Sequence, residues 1–190
     1  GTKKYGDFDI PGELARQWLA LPNPNGKPNA EVIKPWANGM DITRRSSDTW
    51  IIDFGANMTK ADAALYEMPF GHAVLRVKPY RETVKRERTR RNWWIHEEAR
   101  VSMRKALNGL PHFIVTPRVA KHRFFVWLPA KVLPDTRLII LWFTAIAPEY
   151  GDRLTLQPGA QALSITQQAE AALAAHPGGT IGKYVARRGP

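Results

Sequence analysis

The stretch His112–Leu128, HFIVTPRVAKHRFFVWL, decides how the rest of the chain is read. Its two apolar runs, HFIVT and FFVWL, are rich in β-branched and aromatic residues, so they predict two buried strands paired as neighbours in one sheet. Between them stand Arg118, Lys121, His122 and Arg123, which the pairing places at a connection. Pro117 agrees with this, because it has no N–H to give a ladder and pushes Thr116 towards extended geometry. A stiff apolar frame with a cationic tip presents positive groups to a polyanion without having to order a loose loop first.

Downstream, KVLPDT at 131–136 reads as a turn and RLIILWFT at 137–144 as another strand. LIILWF is the longest apolar run and falls far short of the roughly 20 residues of a membrane-spanning helix, so no membrane partner is expected. The last forty residues change character. An Ala/Gln-rich helix is predicted from about Ala160 to Ala175, stopped by Pro177-Gly178-Gly179, with a basic and mobile tail after it.

Upstream lies the densest charge in the chain. Residues 76–105, RVKPYRETVKRERTRRNWWIHEEARVSMRK, hold eleven Lys and Arg against four Glu. A helix beginning after Pro79 places Tyr80, Val84 and the Trp94-Ile95 pair along one side, with Arg81, Lys85, Arg88 and Arg91 on the others. A second helix, EEARVSMRKALNGL, carries Glu97 and Glu98 at its positive end, Ala99, Met103, Ala106 and Leu107 as a buried stripe, and Gly109 as its cap. Solvated Glu–Arg pairing is the plain reading of such a run. Only Glu82 and Glu87 oppose the seven cations between 78 and 91, however, which leaves most of them uncompensated.

The N-terminal half supplies the remaining elements. DIPGELARQWLALP predicts a helix capped by Asp9, with Leu14, Trp18 and Leu21 as its stripe and Pro22 as its end; NPNGKPN at 23–29 is an exposed connection. EVIKPW at 31–36 and DTWIIDFG at 48–55 read as strands, with a turn at Asn38-Gly39 and Arg44-Arg45 in the connection between them. TKADAALYEMP predicts a short helix capped by Thr59, burying Ala61, Ala64, Leu65 and Met68 and closed by Pro69. Trp36, Trp50 and Trp127 belong to the core, and Trp93-Trp94 either pack there or stack on nucleotides. The fold class is therefore α+β: a small mixed or antiparallel sheet core with several flanking helices.

Composition bounds the function. The 190 residues carry a formal charge of +11 and no cysteine, which points to nucleic acid or another anionic surface and removes disulfides, thiol nucleophiles and Cys-bound zinc. The missing thiols and the lack of a signal-peptide core in GTKKYGDFDI suit a reducing, cytoplasmic setting, and the leading Gly reads as the mark of an excised fragment. Asp53, at the end of an apolar run, is read as a hydrogen-bonded strand-end aspartate; a nuclease built on Asp53 and Glu67 fails on motif spacing. His122 has no second His or carboxylate at ligand spacing, so no metal site is expected.

Taken in order, LPNPNGKPNAEVIKPWANGMDITRR (21–45), WIIDFG, YEMPF, VKPYR, the Arg-rich run ending in Trp93-Trp94, TPRVAKHRFFVWL and PDTRLIIL (134–141) resemble the target recognition domain of DNA adenine-N6 methyltransferases of the MmeI-like group. These are restriction-modification enzymes and related methylases, and the resemblance covers roughly residues 10–141. It implies three parts: residues 1–29 as an N-terminal helix and linker, 30–145 as the recognition domain, and 146–190 as an appended helix and tail. It also implies double-stranded DNA as partner, and a catalytic methyltransferase domain of the same protein that uses S-adenosylmethionine. Neither an NPPY-type loop nor a cofactor-binding glycine loop occurs here. No catalytic residue or cofactor is therefore assigned to this chain, and alone it is expected to transfer no methyl groups. WFTAIAPEYGDRLTLQPGAQ departs from the family pattern, so no role is carried past Leu141.

If duplex DNA is the ligand, the cations divide into two tasks. Lys78, Arg81, Lys85, Arg88 and Arg91, in the Arg76–Arg91 region, are suited to neutralise phosphates and fix register, and Arg44 and Arg45 are further DNA-binding candidates. Arg118, Lys121, His122 and Arg123 are suited to enter a groove, where an arginine fork can bond guanine O6 and N7. The alternative from another class is an RNA-binding or ribosome-associated basic module, which the same helices and tryptophans would also serve.

Overall fold

The computed structural model describes residues 1–121, 124–143 and 181–182. The chain forms two compact units, Gly1–Ile140 and Leu141–Pro190. In the second, Trp142 and Phe143 pair antiparallel with Gly182 and Ile181. The expected helix at 160–175 and the basic tail lie outside the described residues.

The first unit is α+β. Asp9 does not cap a helix; β1 (Asp9–Pro11) is a short strand, and α1 (Gly12–Leu19) starts after Pro11 with no side-chain cap. The Asp48 carboxylate lies beside Gly12 at the first turn of α1, where negative charge is favoured, without bonding a helix N–H. A methyl group on Gly12 would stand 2.1 Å from Asp48 Oδ2, so only glycine admits that approach. Arg16 donates two bonds to Asp48 (2.9 and 3.2 Å) and Trp50 Nε1 a third (3.2 Å). The bond from Arg16 and then that from Trp50 hold the Asp48 carboxyl below its ordinary value.

β2 (Ile33–Ala37) and β3 (Thr49–Ile52) form an antiparallel pair, and β1 adds to the far side of β3. The linker 23–29 is anchored rather than loose: Asn29 is buried and donates to Trp18 O (2.8 Å) and receives from Asn23 (2.9 Å). Within this N-terminal part, β1 belongs to the first sheet and Phe8, Ile10, Ala15 and Trp18 enter the core. Asn38-Gly39 does not make a hairpin turn. Asn38 instead caps α2 (Gly39–Thr43), accepting from Met40 and Asp41 N–H while Asp41 bonds back to the Asn38 N–H, a capping box.

Thr59 caps α3 (Lys60–Ala64) as the sequence predicts, but the buried face is different. Ala63, Tyr66 and Pro69 point inward, while Ala61, Ala64, Leu65 and Met68 are exposed. The backbone breaks at Tyr66 (φ −95°, ψ 78°), so one helical period does not carry across it. Pro69 does not close a helix. It occupies the first turn of α4 (Glu67–His72), where its missing N–H has no intrahelical partner to lose. A π-helical turn, Ala73–Val77, then runs directly into α5 (Lys78–Glu82). There Lys78 N–H reaches back five residues to Ala73 O, and Pro79, which has no N–H, follows. α6 (Glu87–Arg91) completes the basic region. Tyr80, expected on the inner side, is exposed, and the inward residue is its neighbour Arg81.

The second predicted basic helix is shorter than its sequence suggests. α7 (Val101–Leu107) begins after Arg100, whose left-handed backbone (φ +53°) excludes Glu97, Glu98 and Ala99 from the helix. Met103 and Leu107 are buried as expected, and Gly109 (φ +82°) takes the left-handed cap position.

The organising hairpin pairs as read, but only its first strand is buried: Val126, Trp127 and Leu128 are half-buried, so Trp127, expected in the core, sits at an intermediate depth, as does Trp50. β4 (His112–Pro117) and β5 (Val126–Pro129) are antiparallel, with Phe113 opposite Leu128 and Val115 opposite Val126. KVLPDT is more than a turn: β6 (Leu133–Pro134) pairs parallel with Trp36 and Ala37 and makes the first sheet a mixed one, ordered β1-β3-β2-β6. Pro35 sits on β2 just before that ladder begins, so its lack of an N–H costs β6 nothing. β7 (Leu138–Phe143) joins β4 to complete the second, antiparallel sheet. The main core lies between the first sheet and the helices, around Phe8, Ile10, Trp18, Ile51, Phe54 and Tyr66. Trp93 is buried there and Trp94 packs against it with Nε1 on Met58 O (3.0 Å), which favours packing over nucleotide stacking for this pair.

Candidate nucleic-acid interface

The expected DNA-contacting residues fall into three groups. Arg44, Arg45, Lys85, Arg88, Arg118 and Lys121 are exposed and have no carboxylate within salt-bridge distance among the described residues. Lys78 and Arg91 sit in i,i+4 pairs with Glu82 (3.6 Å) and Glu87 (3.7 Å), at exposed sites where such pairs contribute only about 0.3–0.5 kcal/mol. His122 and Arg123 lie outside the described residues.

Arg81 stands apart, and its assignment as a phosphate contact is corrected. It is 1 % exposed, and its Nη2 donates to Lys4 O (2.8 Å) and Ile95 O (3.0 Å) while Nη1 donates to Thr89 O (3.4 Å). Glu97 lies 3.9 Å away, and the guanidinium passes over the Phe8 and Tyr5 rings (5.6 and 5.9 Å). A planar fork with five donors in fixed directions is well suited to gather carbonyls from separate segments in this way. Burial pushes its pKa down, and Glu97 opposes that fall.

What Arg81 gathers is the segment Gly1–Tyr5, which sequence reasoning missed. Thr2 N–H bonds Pro134 O (2.8 Å) and its carbonyl accepts from Thr136 (3.1 Å). Lys3 and Glu98 exchange backbone bonds (3.2 and 3.1 Å), and Lys4 O takes Arg81. These pairings place several cations along one path. At the Thr2 end, Arg118 N–H bonds Arg137 O (2.8 Å), and α2, which leads to Arg44 and Arg45, comes within 3.9 Å of the Arg137 Cβ at a would-be Gly39 Cβ. In the middle stand Lys3 and Arg100, whose Nε donates to Gly1 O (3.2 Å) and which pairs with Glu98. At the Tyr5 end are Arg86, bonded to Glu97, and Lys85. Three extended residues cover roughly 10 Å, and an arginine at each end makes the path longer than the ~12 Å width of a major groove. The only signal in the sequence was the basic pair Lys3-Lys4; its place is set by hydrogen bonds to residues about a hundred positions away.

Two hollows flank the Arg86–Glu97 pair. One, of about 530 Å³, is walled by Lys3, Tyr5, Tyr80, Lys85 and Arg86; the other, of about 360 Å³, by Arg86, Arg88, Asn92 and Glu98. Burial alone would raise the Glu97 carboxyl, but bonds from Thr89 and Arg86, with the charges of Arg86 and Arg81, hold it below its ordinary value.

Asp53 is structural, as its sequence position suggested. It is buried, takes both Arg104 terminal nitrogens (2.7 and 3.0 Å) and the Gly55 N–H (3.1 Å), and faces His96 Nδ1 at 3.7 Å. Burial would raise its pKa, but His96 and Arg104 together hold it down. His96 Nε2 donates to Ile52 O (2.8 Å), and burial lowers the pKa of the ring while the Asp53 charge opposes that fall. The Asp53 carboxylate is thus taken up by Arg104 and the Gly55 N–H.

Comparison with family models finds no match, and none of the curated proteins matches either. Among solved structures, a Type IIL restriction-modification enzyme, MmeI, in complex with DNA shares the fold at a TM-score of 0.53 and 11 % identity. The likeness covers 73 % of this chain and 18 % of that one, so the chain spans under a fifth of the protein it resembles. What the two share is a fold that, in a restriction-modification enzyme, occurs in a structure solved with DNA.

Proposed function

We propose that this chain is the sequence-reading, duplex-DNA-binding domain of a restriction-modification DNA adenine-N6 methyltransferase. The carrying observation is the line of exposed cations along Gly1–Tyr5, from Arg118 and Arg137 to Lys85, on a scaffold shared with an enzyme solved in complex with DNA. The catalytic domain and its S-adenosylmethionine belong to the remainder of the parent protein in this reading. Methyl transfer requires the adenine to leave the helix for a separate pocket, so the present domain holds the duplex and reads base edges.

The cations along the path neutralise phosphates on both sides of a groove, and Arg118, raised on the β4–β5 connection, reaches the bases between them. Selection of bound sequences from a random duplex pool, followed by a salt titration of the winner, tests this. The reading expects an enriched motif and a fall of log K with log salt of about −0.9 for each phosphate contact. A flat salt response, or stronger binding of structured RNA in competition, would overturn it.

A further inference from the structure

We propose that the hollow between Tyr5 and Tyr80 is a nucleotide cradle, taking one unpaired base against a tyrosine face and its phosphate against Lys85 and Lys3. The proposal rests on the duplex-binding reading above and adds to it a site for a base that has left the stack. Tyr5 and Tyr80 are 39 % and 48 % exposed, which is unusual for two large rings that touch each other. Their centroids are 5.7 Å apart and the planes are inclined at 56°, so neither ring covers the other's face.

The backbone holds this arrangement in place. Tyr5 lies in the left-handed region (φ +54°), which an aromatic residue seldom enters, and the next residue is Gly6 at φ +154°. Unusual backbone of this kind persists only where its surroundings fix it, and it gathers at ligand sites. The buried Arg81 guanidinium lies 5.9 Å from the Tyr5 ring, and the same residue fixes Tyr80, its neighbour on α5. The Tyr5 ring is held by a stiff support with the Lys3 ammonium also over it, 5.7 Å from its centre, so the more exposed Tyr80 ring offers the face for a base.

The charge around the hollow favours an anion. Lys85 is exposed with no carboxylate in reach among the described residues, and Lys3 meets Glu98 only at 3.8 Å across an exposed gap. Glu97, the carboxylate inside the hollow, is already occupied by Arg86 and Thr89. An aromatic face beside an uncompensated ammonium suits a flat ring carrying an anionic group, and every nucleobase offers such a face. The hollow, of about 530 Å³, is open to solvent and of a size to take one nucleotide. The source is either an unpaired position in a nucleic-acid strand or a free mononucleotide.

The test uses the full chain with four probes: a single-stranded oligonucleotide containing 2-aminopurine, a duplex with 2-aminopurine opposite an abasic position, the same duplex fully paired, and adenosine monophosphate. Tyr80→Ala should weaken the two unpaired DNA probes about 5- to 150-fold, as loss of one base–aromatic stack does. It should leave the paired duplex unchanged, while Tyr80→Phe should bind like the parent. Tighter binding of the oligonucleotide than of the mononucleotide assigns the source to a strand, and the reverse order assigns it to the free nucleotide. Unpaired probes that bind the Tyr80→Ala protein as well as the parent would remove the cradle. Displacement of those probes by a proline-rich peptide, but by no nucleotide, would do the same. In either case continued binding of the paired duplex keeps the DNA reading, whereas a parent protein that binds no DNA probe loses that reading first.

Discussion

Arg81 and Arg88 lie seven residues apart in one basic run and look interchangeable in the sequence, yet the fold gives them opposite work. Replacing Arg81 with Ala removes a guanidinium that is 1 % exposed and leaves the Lys4, Ile95 and Thr89 carbonyls without their donor. A buried acceptor left unpaired costs about 1–3 kcal/mol, and breaking a buried charged cluster about 3–5 kcal/mol. Glu97 keeps Arg86 and Thr89, so the lower part of that second range, about 3–4 kcal/mol, is the expected loss. Against a total of about 5–15 kcal/mol, such a loss moves a urea midpoint far to the left. Arg88→Ala removes an exposed side chain with no carboxylate partner among the described residues, and its stability should change by under about 0.5 kcal/mol. DNA binding reverses the order. Arg88→Ala should lower affinity across all sequences and flatten the salt slope by about 0.9, while Arg81→Ala, below its unfolding threshold, should keep the parent slope. Tryptophan-monitored unfolding and a salt-dependent binding isotherm on both proteins decide the matter. An Arg81→Ala domain that is as stable as the parent but binds DNA with a shallower slope would refute the structural role assigned here.

Arg118→Ala should reduce discrimination between a selected site and random duplex by about 1–3 kcal/mol while sparing random-duplex affinity; equal loss on both would make Arg118 a phosphate contact. Glu98→Gln frees Lys3 and Arg100 from their carboxylate and should strengthen duplex binding at low salt, an effect read by titration and expected to vanish at high salt. Stability should also depend on pH in a defined way. His96 is kept below its ordinary pKa of 6.5 by burial, so below that pH the unfolded chain takes a proton that the folded one refuses. Folding free energy should therefore hold above pH 6.5 and fall by up to about 1.4 kcal/mol per pH unit beneath it, with Asp53 adding its own loss near and below its ordinary value of 3.8. His96→Gln should flatten the upper part of that limb in acid unfolding curves, and an unchanged limb would assign it to other groups.

The parts of the fold legible in the sequence were those whose signal is local. β4 and β5 announce themselves by alternation and composition, and Thr59 and Gly109 by the chemistry of helix ends. The parts missed were set by distant partners. Nothing within three residues of Asp9 or Leu133 marks them as strand, because β1 and β6 are too short to show a period and exist only through Ile51 and Trp36. Helical spacing chose the wrong face at 61–68 because it assumed one helix where Tyr66 breaks the backbone and turns its hydroxyl to Glu31 (2.6 Å). Burial together with that bond lifts the Tyr66 pKa to about 12. Of the candidate site, exposure of Lys85, Arg88 and Arg118 followed from the pattern, but the burial of Arg81 did not, since its acceptors sit at 4, 89 and 95.

Burying one arginine of a basic run also bears on how the others can work. Cations crowded along Gly1–Tyr5 repel one another when no ligand is bound, and in a purely positive surface that repulsion would loosen the segment that displays them. Here the segment is fixed from beneath by the Arg81 fork and by backbone bonds to Glu98 and Pro134, while Glu97 and Glu98 supply counter-charge next to the cations. The pairs at the rim, Lys3–Glu98, Lys78–Glu82 and Arg91–Glu87, are 3.6–3.8 Å long and solvated, so a phosphate can replace the carboxylate with little loss. Such pairs release fewer counterions on binding than free cations do, because the carboxylate has already displaced them. The measured salt slope should therefore fall short of the number of cations that touch DNA, and the shortfall should shrink when Glu82, Glu87 and Glu98 are replaced by glutamine.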